Sequence, residues 1–152
     1  MKLYTLKREQ KISKNIDNVF EFFSKPENLS IITPSKMKFK ILTPSPIEMK
    51  EGALIDYTVN IFGFPIRWRT LITDYKPVHM FVDQQLKGPY SMWHHTHFFE
   101  RLSDEETLIK DIVIYAVPFG VIGKLVHSLY IKRDLNAIFD FRSQKIREIF
   151  ND

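Results

Sequence analysis

The sequence predicts an α+β domain in which a curved antiparallel sheet closes over one long C-terminal helix. Three observations carry that expectation. The middle of the chain is a succession of alternating segments separated by turn residues, which reads as tandem hairpins. The last thirty residues switch to helical spacing. A single alternating strand and a broken helical stretch come before both. The 152 residues amount to one domain, 1–152, and are enough for a substantial core.

The opening strand alternates Leu3, Thr5 and Lys7 with Tyr4, Leu6 and Arg8 and runs to Ile12. Asn15 or Asp17 can cap the short helix that follows, whose apolar side is Val19, Phe20, Phe22 and Phe23. Pro26 suits the first position of a second short helix, and Pro34 ends it. Lys36 to Leu42 alternates Met37, Phe39 and Ile41 with three lysines and is expected to be a strand with a solvated basic face. Ala53–Phe62 and Pro65–Asp74 flank a turn at Gly63-Phe64-Pro65. A further hairpin spans Phe81 to Phe99 around Lys87-Gly88-Pro89-Tyr90, and Leu108–Ala116 is the seventh strand. Gly120 and Gly123 let the chain turn tightly into the final helix, expected from about Ile122 to Phe150. Ile122, Leu125, Val126, Leu129, Leu135, Ile138, Phe139, Ile146, Ile149 and Phe150 are read as one apolar stripe laid on the concave sheet.

The central hairpin holds the chemistry. Side chains alternate faces along a strand, so Trp93, His95, His97 and Phe99 share a side, as do Phe81, Asp83 and Gln85. On the seventh strand Asp111 and Tyr115 belong to the same odd set. Glu100 and Lys110 mark the even face as the wet one, so the odd face looks inward. If the turns keep odd opposite odd, His95 lies near Asp83 and His97 near Asp111. Burying such groups unpaired costs on the order of 2–7 kcal/mol each, so they need a reason to be inside. Three reasons compete: hydrogen bonds that stiffen the sheet, a polar floor that anchors a ligand, and an imidazole base steadied by a carboxylate.

Composition narrows the choices. With 44% hydrophobic and 26% charged residues the chain belongs with soluble globular proteins. Thirteen Phe and six Tyr suit a large core or an aromatic-lined cavity. The absence of cysteine excludes disulfides, thiol catalysis and thiolate metal sites. His95-Thr96-His97 has usable spacing for zinc, with Asp83 or Asp111 to complete it, but no signature motif accompanies it, and neither metal nor cofactor is expected. Gly120-Val-Ile-Gly123-Lys124 lacks the length and final hydroxyl of a phosphate loop. The net charge of +4 is spread along the chain, which argues against a nucleic-acid partner and allows weak peripheral membrane contact. No signal peptide or membrane span is visible, so a cytoplasmic location is expected.

The element order, together with VFEFFSKPENLSIITP (19–34), FPIRWRT (64–70), FVDQQLKGPYSMWHHTHFF (81–99), IKDIVIYAVPFGVIG (109–123) and IFDFR (138–142), resembles the helix-grip proteins. These are the START-like, SRPBCC group of birch-pollen allergens, lipid-transfer domains and polyketide aromatase/cyclases. Within it the chain is similar to small bacterial members labelled cyclase/dehydrase or cell-division-inhibitor-related. The resemblance implies a cavity between sheet and helix for a hydrophobic or amphipathic small molecule. Phe81, Trp93, Phe99 and Tyr115 would be its walls, and Asp83, Gln85, His95, His97 and Asp111 its polar floor. The alternatives are an aromatase/cyclase or dehydratase using a His/Asp acid–base pair, with His95, His97, Asp83 and Asp111 as candidates, and a protein-interaction module with no ligand.

Overall fold

The structure, a computed structural model, describes residues 1–150. Seven antiparallel strands form one sheet: β1 (Tyr4–Ile12), β2 (Lys40–Ile41), β3 (Leu54–Ile61), β4 (Phe64–Lys76), β5 (Met80–Lys87), β6 (Met92–Ser103) and β7 (Glu106–Ala116). Their spatial order is β1-β7-β6-β5-β4-β3-β2, a meander from β2 to β7 onto which the first strand folds back. Helix α1 (Ile16–Phe23) is capped by Asn15, whose Oδ1 accepts from the Asn18 N–H at 2.9 Å. The restart at Pro26 is a 3₁₀ turn, Pro26–Ser30. Helix α2 (Gly120–Val126), a π turn (His127–Ile131) and α3 (Lys132–Phe150) form the continuous C-terminal segment. This is the helix-grip arrangement.

Every second residue is buried along β6 as far as Phe99 and along β7, Trp93, His95, His97 and Phe99 on one and Ile109, Asp111, Val113 and Tyr115 on the other. The odd face is therefore inward. Two apolar clusters fill it. Ile12, Phe20, Phe81, Phe99, Ile109 and Ile146 pack at the α1 end, and Val59, Trp68, Trp93, Tyr115, Leu135 and Phe139 at the other. Helix α3 is moored to β1 by Arg8, which donates to Asp140 at 2.7 Å and to the Asn136 carbonyl at 3.0 Å, and by Gln10, which donates to the Ser143 carbonyl.

Three segments differ from expectation. The strand at Lys36–Leu42 shrinks to Lys40 and Ile41, because Ser35–Met37 forms a 3₁₀ turn and Lys38 takes a left-handed φ of 45°. Alternation survives there without ladder pairing. The β3–β4 turn sits at Phe62-Gly63, with φ of 53° and 81°, a turn of the type that suits two-residue hairpins. Pro65 falls within β4, near its start, opposite Asn60. The apolar stripe is two stripes. At roughly 100° per residue, Ile122, Leu125, Val126 and Leu129 share one side, while Leu135, Phe139 and Ile146 lie well over a quarter turn away. Leu135, Phe139 and Ile146 are buried, whereas Ile122, Leu125, Val126 and Leu129 are exposed. Leu129, expected in the core, is 70% exposed.

Candidate functional site: a polar network at the wall of a cavity

The cross-strand register places Asp83 opposite His95 and His97 opposite Asp111. The hydrogen bonds run diagonally instead. His95 donates Nε2–H to Asp111 Oδ1 at 2.8 Å, and His97 donates Nε2–H to Asp83 Oδ2 at 2.5 Å. The two imidazoles stack with centroids 3.7 Å apart, and Phe81 stacks on the far side of His97 at 4.1 Å. A diagonal reach on a twisted sheet lets both rings stack while each keeps a carboxylate in its plane.

Arg142 of α3 completes the group. It is buried, its guanidinium lies over Phe23 and Phe139, and its Nη2 approaches Asp111 Oδ1 at 3.4 Å. Burial alone would raise the Asp111 carboxyl, but Arg142, with His95 beside it, outweighs burial and holds the group well below the usual carboxylate range. Asp83 is likewise held down against burial, chiefly by His95 and the bond from His97. Burial, followed by the neighbouring His95, pushes His97 down to about 4 against the pull of Asp83, so its ring is neutral at pH 7. A neutral ring donating to an ionised carboxylate agrees with the bond observed.

Above this floor lies a cavity of about 650 Å³ between the sheet and the C-terminal segment. Trp68, Tyr90, Trp93, His95, Phe139 and Arg142 are among its walls. A smaller hollow of about 140 Å³ shares Trp68, Trp93, His95 and Arg142 with it and also reaches Phe81, Asp83 and His97. Both tryptophans of the chain thus stand on the wall. Trp68 is set T-shaped against Trp93 at 5.4 Å and stacked on Tyr57 at 5.8 Å. Three buried nitrogens here lack a hydrogen-bond partner: Trp68 Nε1, Arg142 Nε and His97 Nδ1. All three atoms are shut off from the cavity as well as from water, so each is an unmet group within the packing.

Of the residues expected to form the site, Phe81, Asp83, Trp93, His95 and His97 lie on these walls. The other four are turned to structural tasks. Gln85 clamps the β5–β6 turn, donating to the Tyr90 carbonyl at 2.8 Å and accepting from the Tyr90 N–H at 3.2 Å. Phe99 packs edge-on to Phe20 at 5.0 Å. Asp111 stands behind His95. The Tyr115 hydroxyl, a candidate to orient a ligand, is bonded to His127 Nε2 at 2.7 Å, and burial pushes it up to about 12. Tyr4 covers that His127 ring at 3.5 Å, which pins the π turn to the sheet.

Sequence reasoning passed over Trp68 and Arg142 as site residues. Trp68 alternates inward with Thr70 and Ile72 on β4, a signal available from period two. Arg142 follows Leu135 and Phe139 at helical spacing on the buried stripe. Asp83, His95 and His97 have donor atoms within 4.8 Å of one another, close enough to consider a cation. In this arrangement His95 is bonded to Asp111 and His97 to Asp83.

No protein-family model matches the sequence, and no curated protein matches it. Solved structures do. The Zhui aromatase/cyclase from Streptomyces sp. R1128 is 13% identical, with 97% of this chain and 96% of that one covered at a TM-score of 0.70. A START superfamily protein from Mycobacterium smegmatis is 13% identical over 95% and 98% of the two chains, at 0.70. Norcoclaurine synthase from Thalictrum flavum, in complex with a transition state analogue, is 18% identical over 96% and 95%, at 0.66. The likeness is one of architecture, end to end, and on it the chain shares the helix-grip fold of these proteins.

Proposed function

We propose that the protein binds a hydrophobic small molecule carrying an acceptor oxygen, held in the cavity between the sheet and the C-terminal segment. The observation that carries this reading is about 650 Å³ of aromatic-walled space on whose wall stand the polar side chains of His95 and Arg142. Volume of that order suits a drug-sized ligand, and few convergent polar groups on an apolar wall are the usual means of orienting one. A filled interior, the requirement of a pure interaction module, is not what this space offers. The fold is also that of solved proteins described as an aromatase/cyclase and a norcoclaurine synthase.

Acid–base catalysis is a second reading, favoured by one observation. His95 faces both hollows while Asp111 fixes its Nε2 proton, which leaves Nδ1 as the atom able to take a proton from a bound molecule. The two readings separate on His95→Gln. A carrier retains ligand with altered affinity, whereas an enzyme loses turnover while it still binds.

The test of binding is extraction of freshly purified protein, with native mass spectrometry, followed by titration of aromatic and polyketide-like compounds against tryptophan fluorescence. Because both tryptophans lie on the wall, entry of a ligand quenches or shifts their emission. A protein that carries nothing and shows no saturable change with any compound refutes the proposal.

A further inference from the structure

The end of the domain where the cavity opens is unusually apolar for a surface. The β3–β4 turn, the β5–β6 turn, the C-terminal end of β7 and the start of α2 all gather there, as the strand register requires. Phe62 is 64% exposed, Phe119 and Val121 are each 81% and Leu129 is 70%. Ile122 and Leu125 are exposed between them, and Phe62 meets Tyr130 at a ring separation of 5.0 Å, so turn and helix form one surface. Phe62, Phe119, Ile122 and Tyr130 also line the cavity, which makes the patch continuous with its mouth. Isolated exposed apolar residues need no explanation, whereas a contiguous patch of this kind marks an interaction site.

The charge around it is of one sign. From Val117 to Arg133 the chain carries Lys124, Lys132 and Arg133, all exposed, and no carboxylate. Arg67 and Arg69 of β4 are both paired with Asp56, at 3.7 and 2.8 Å, and Asp134 is held by Lys36 at 3.6 Å, so the positive charge left for a partner beside the patch is that of Lys124, Lys132 and Arg133. The outward stripe Ile122, Leu125, Val126 and Leu129 with lysines beside it is the pattern of a helix that lies in a membrane interface. No helix of the described residues is long and apolar enough to cross a bilayer.

From this we infer that α2, the π turn and the β3–β4 turn form a docking face for the surface of an anionic lipid bilayer, set so that the cavity mouth opens onto the membrane. The apolar residues enter the headgroup boundary while Lys124, Lys132 and Arg133 meet lipid phosphates. The face stands on exposure and charge, independently of what the cavity holds. The two sides of the chain that rise from it, the mouth and the helix, would then admit a molecule from the bilayer without passage through water.

The test is co-sedimentation of the full chain with vesicles of phosphatidylcholine alone and of phosphatidylcholine mixed with phosphatidylglycerol. Binding is expected to the mixed vesicles and to weaken as salt rises. The double substitution Leu125→Glu/Leu129→Glu, at positions outside the cavity wall, is expected to lower partitioning by more than about tenfold with an unchanged thermal melt. Leu102→Glu, exposed at the opposite end of β6, is expected to leave it unchanged. The inference fails if neither vesicle is bound, or if Leu102→Glu is as harmful as the double substitution. It also fails if the double substitution abolishes a dimer seen by sedimentation velocity while vesicles go unbound, since a second copy is then the occupant. Tryptophan titration with soluble compounds reads the cavity separately, so a failure of docking and a failure of ligand binding are told apart.

Discussion

Acidification should destabilise this protein through His97 by an amount the structure permits one to work out. The ring is held near a pKa of about 4, against 6.5 for an exposed imidazole. Because the folded value is the lower one, the unfolded chain takes up a proton first as pH falls, and the free energy of unfolding drops with it. The contribution is intact above about pH 6.5 and is lost progressively as pH falls toward 4. At roughly 1.4 kcal/mol per pH unit the full loss is ~3 kcal/mol, of which about 2 has gone by pH 5. His97→Gln removes the titration and keeps an N–H donor for Asp83. Urea unfolding of both proteins at pH 7 and pH 5 isolates the ring and its immediate partners, since ionisable groups outside this network cancel in the difference. The wild type should lose about 2 kcal/mol more than the variant between the two pH values. Equal losses, or a wild type that gains stability on acidification, would refute the argument that burial outweighs Asp83 at this ring.

Three further outcomes follow from the same geometry. Arg142→Met leaves Asp111 buried with His95 alone and should lower stability by about 3 kcal/mol at pH 7, with the deficit shrinking in acid as Asp111 protonates; a thermal melt within a degree of wild type would contradict the pairing. Trp68→Phe removes an unsatisfied buried donor and part of the cavity's ring wall together, so the ligand-free protein should change by less than about 1 kcal/mol while affinity for an aromatic ligand falls about tenfold by fluorescence titration through lost ring contact. Gly123→Ala should cost more than about 2 kcal/mol by chemical denaturation, since a Cβ there would stand 1.9 Å from the Pro118 carbonyl oxygen, a backbone atom that cannot turn aside.

Much of this fold could be read from period alone, because most strands carry a one-sided pattern and a slipped register would expose it. The even-face residues Glu100 and Lys110 were enough to orient β6 and β7, and the cross-strand adjacency of the four polar residues followed. Which histidine bonds which carboxylate was not legible. Opposite and diagonal neighbours lie within reach of the same side chains, and ring stacking, invisible in sequence, chose the diagonal. The wall residues Trp68 and Arg142 were less legible, since aromatic residues are plentiful in this chain and one arginine on a highly charged helix carries no sign that it points inward. The split stripe escaped because residues before and after the π turn were pooled, though a count of about 100° per residue separates Leu129 from Leu135.

The diagonal network has a consequence for how the site should be understood. His95, His97, Asp83, Asp111 and Arg142 are joined by three hydrogen bonds across three neighbouring strands and the C-terminal helix. That is the structural reason for burying them, and it fixes the sheet floor to α3 at the level of the cavity. A group so used has little freedom to take up a ligand as well. The Trp68 indole and the Arg142 guanidinium, which line the cavity, are therefore the groups a bound molecule should meet, and neither kind of group titrates near pH 7. On this reasoning affinity should be nearly flat from pH 6 to 8 even though stability is not. Ligand titrations across that range, set beside unfolding curves in the same buffers, decide the matter. An affinity that tracks an imidazole titration would transfer the anchoring role from Trp68 and Arg142 to His95.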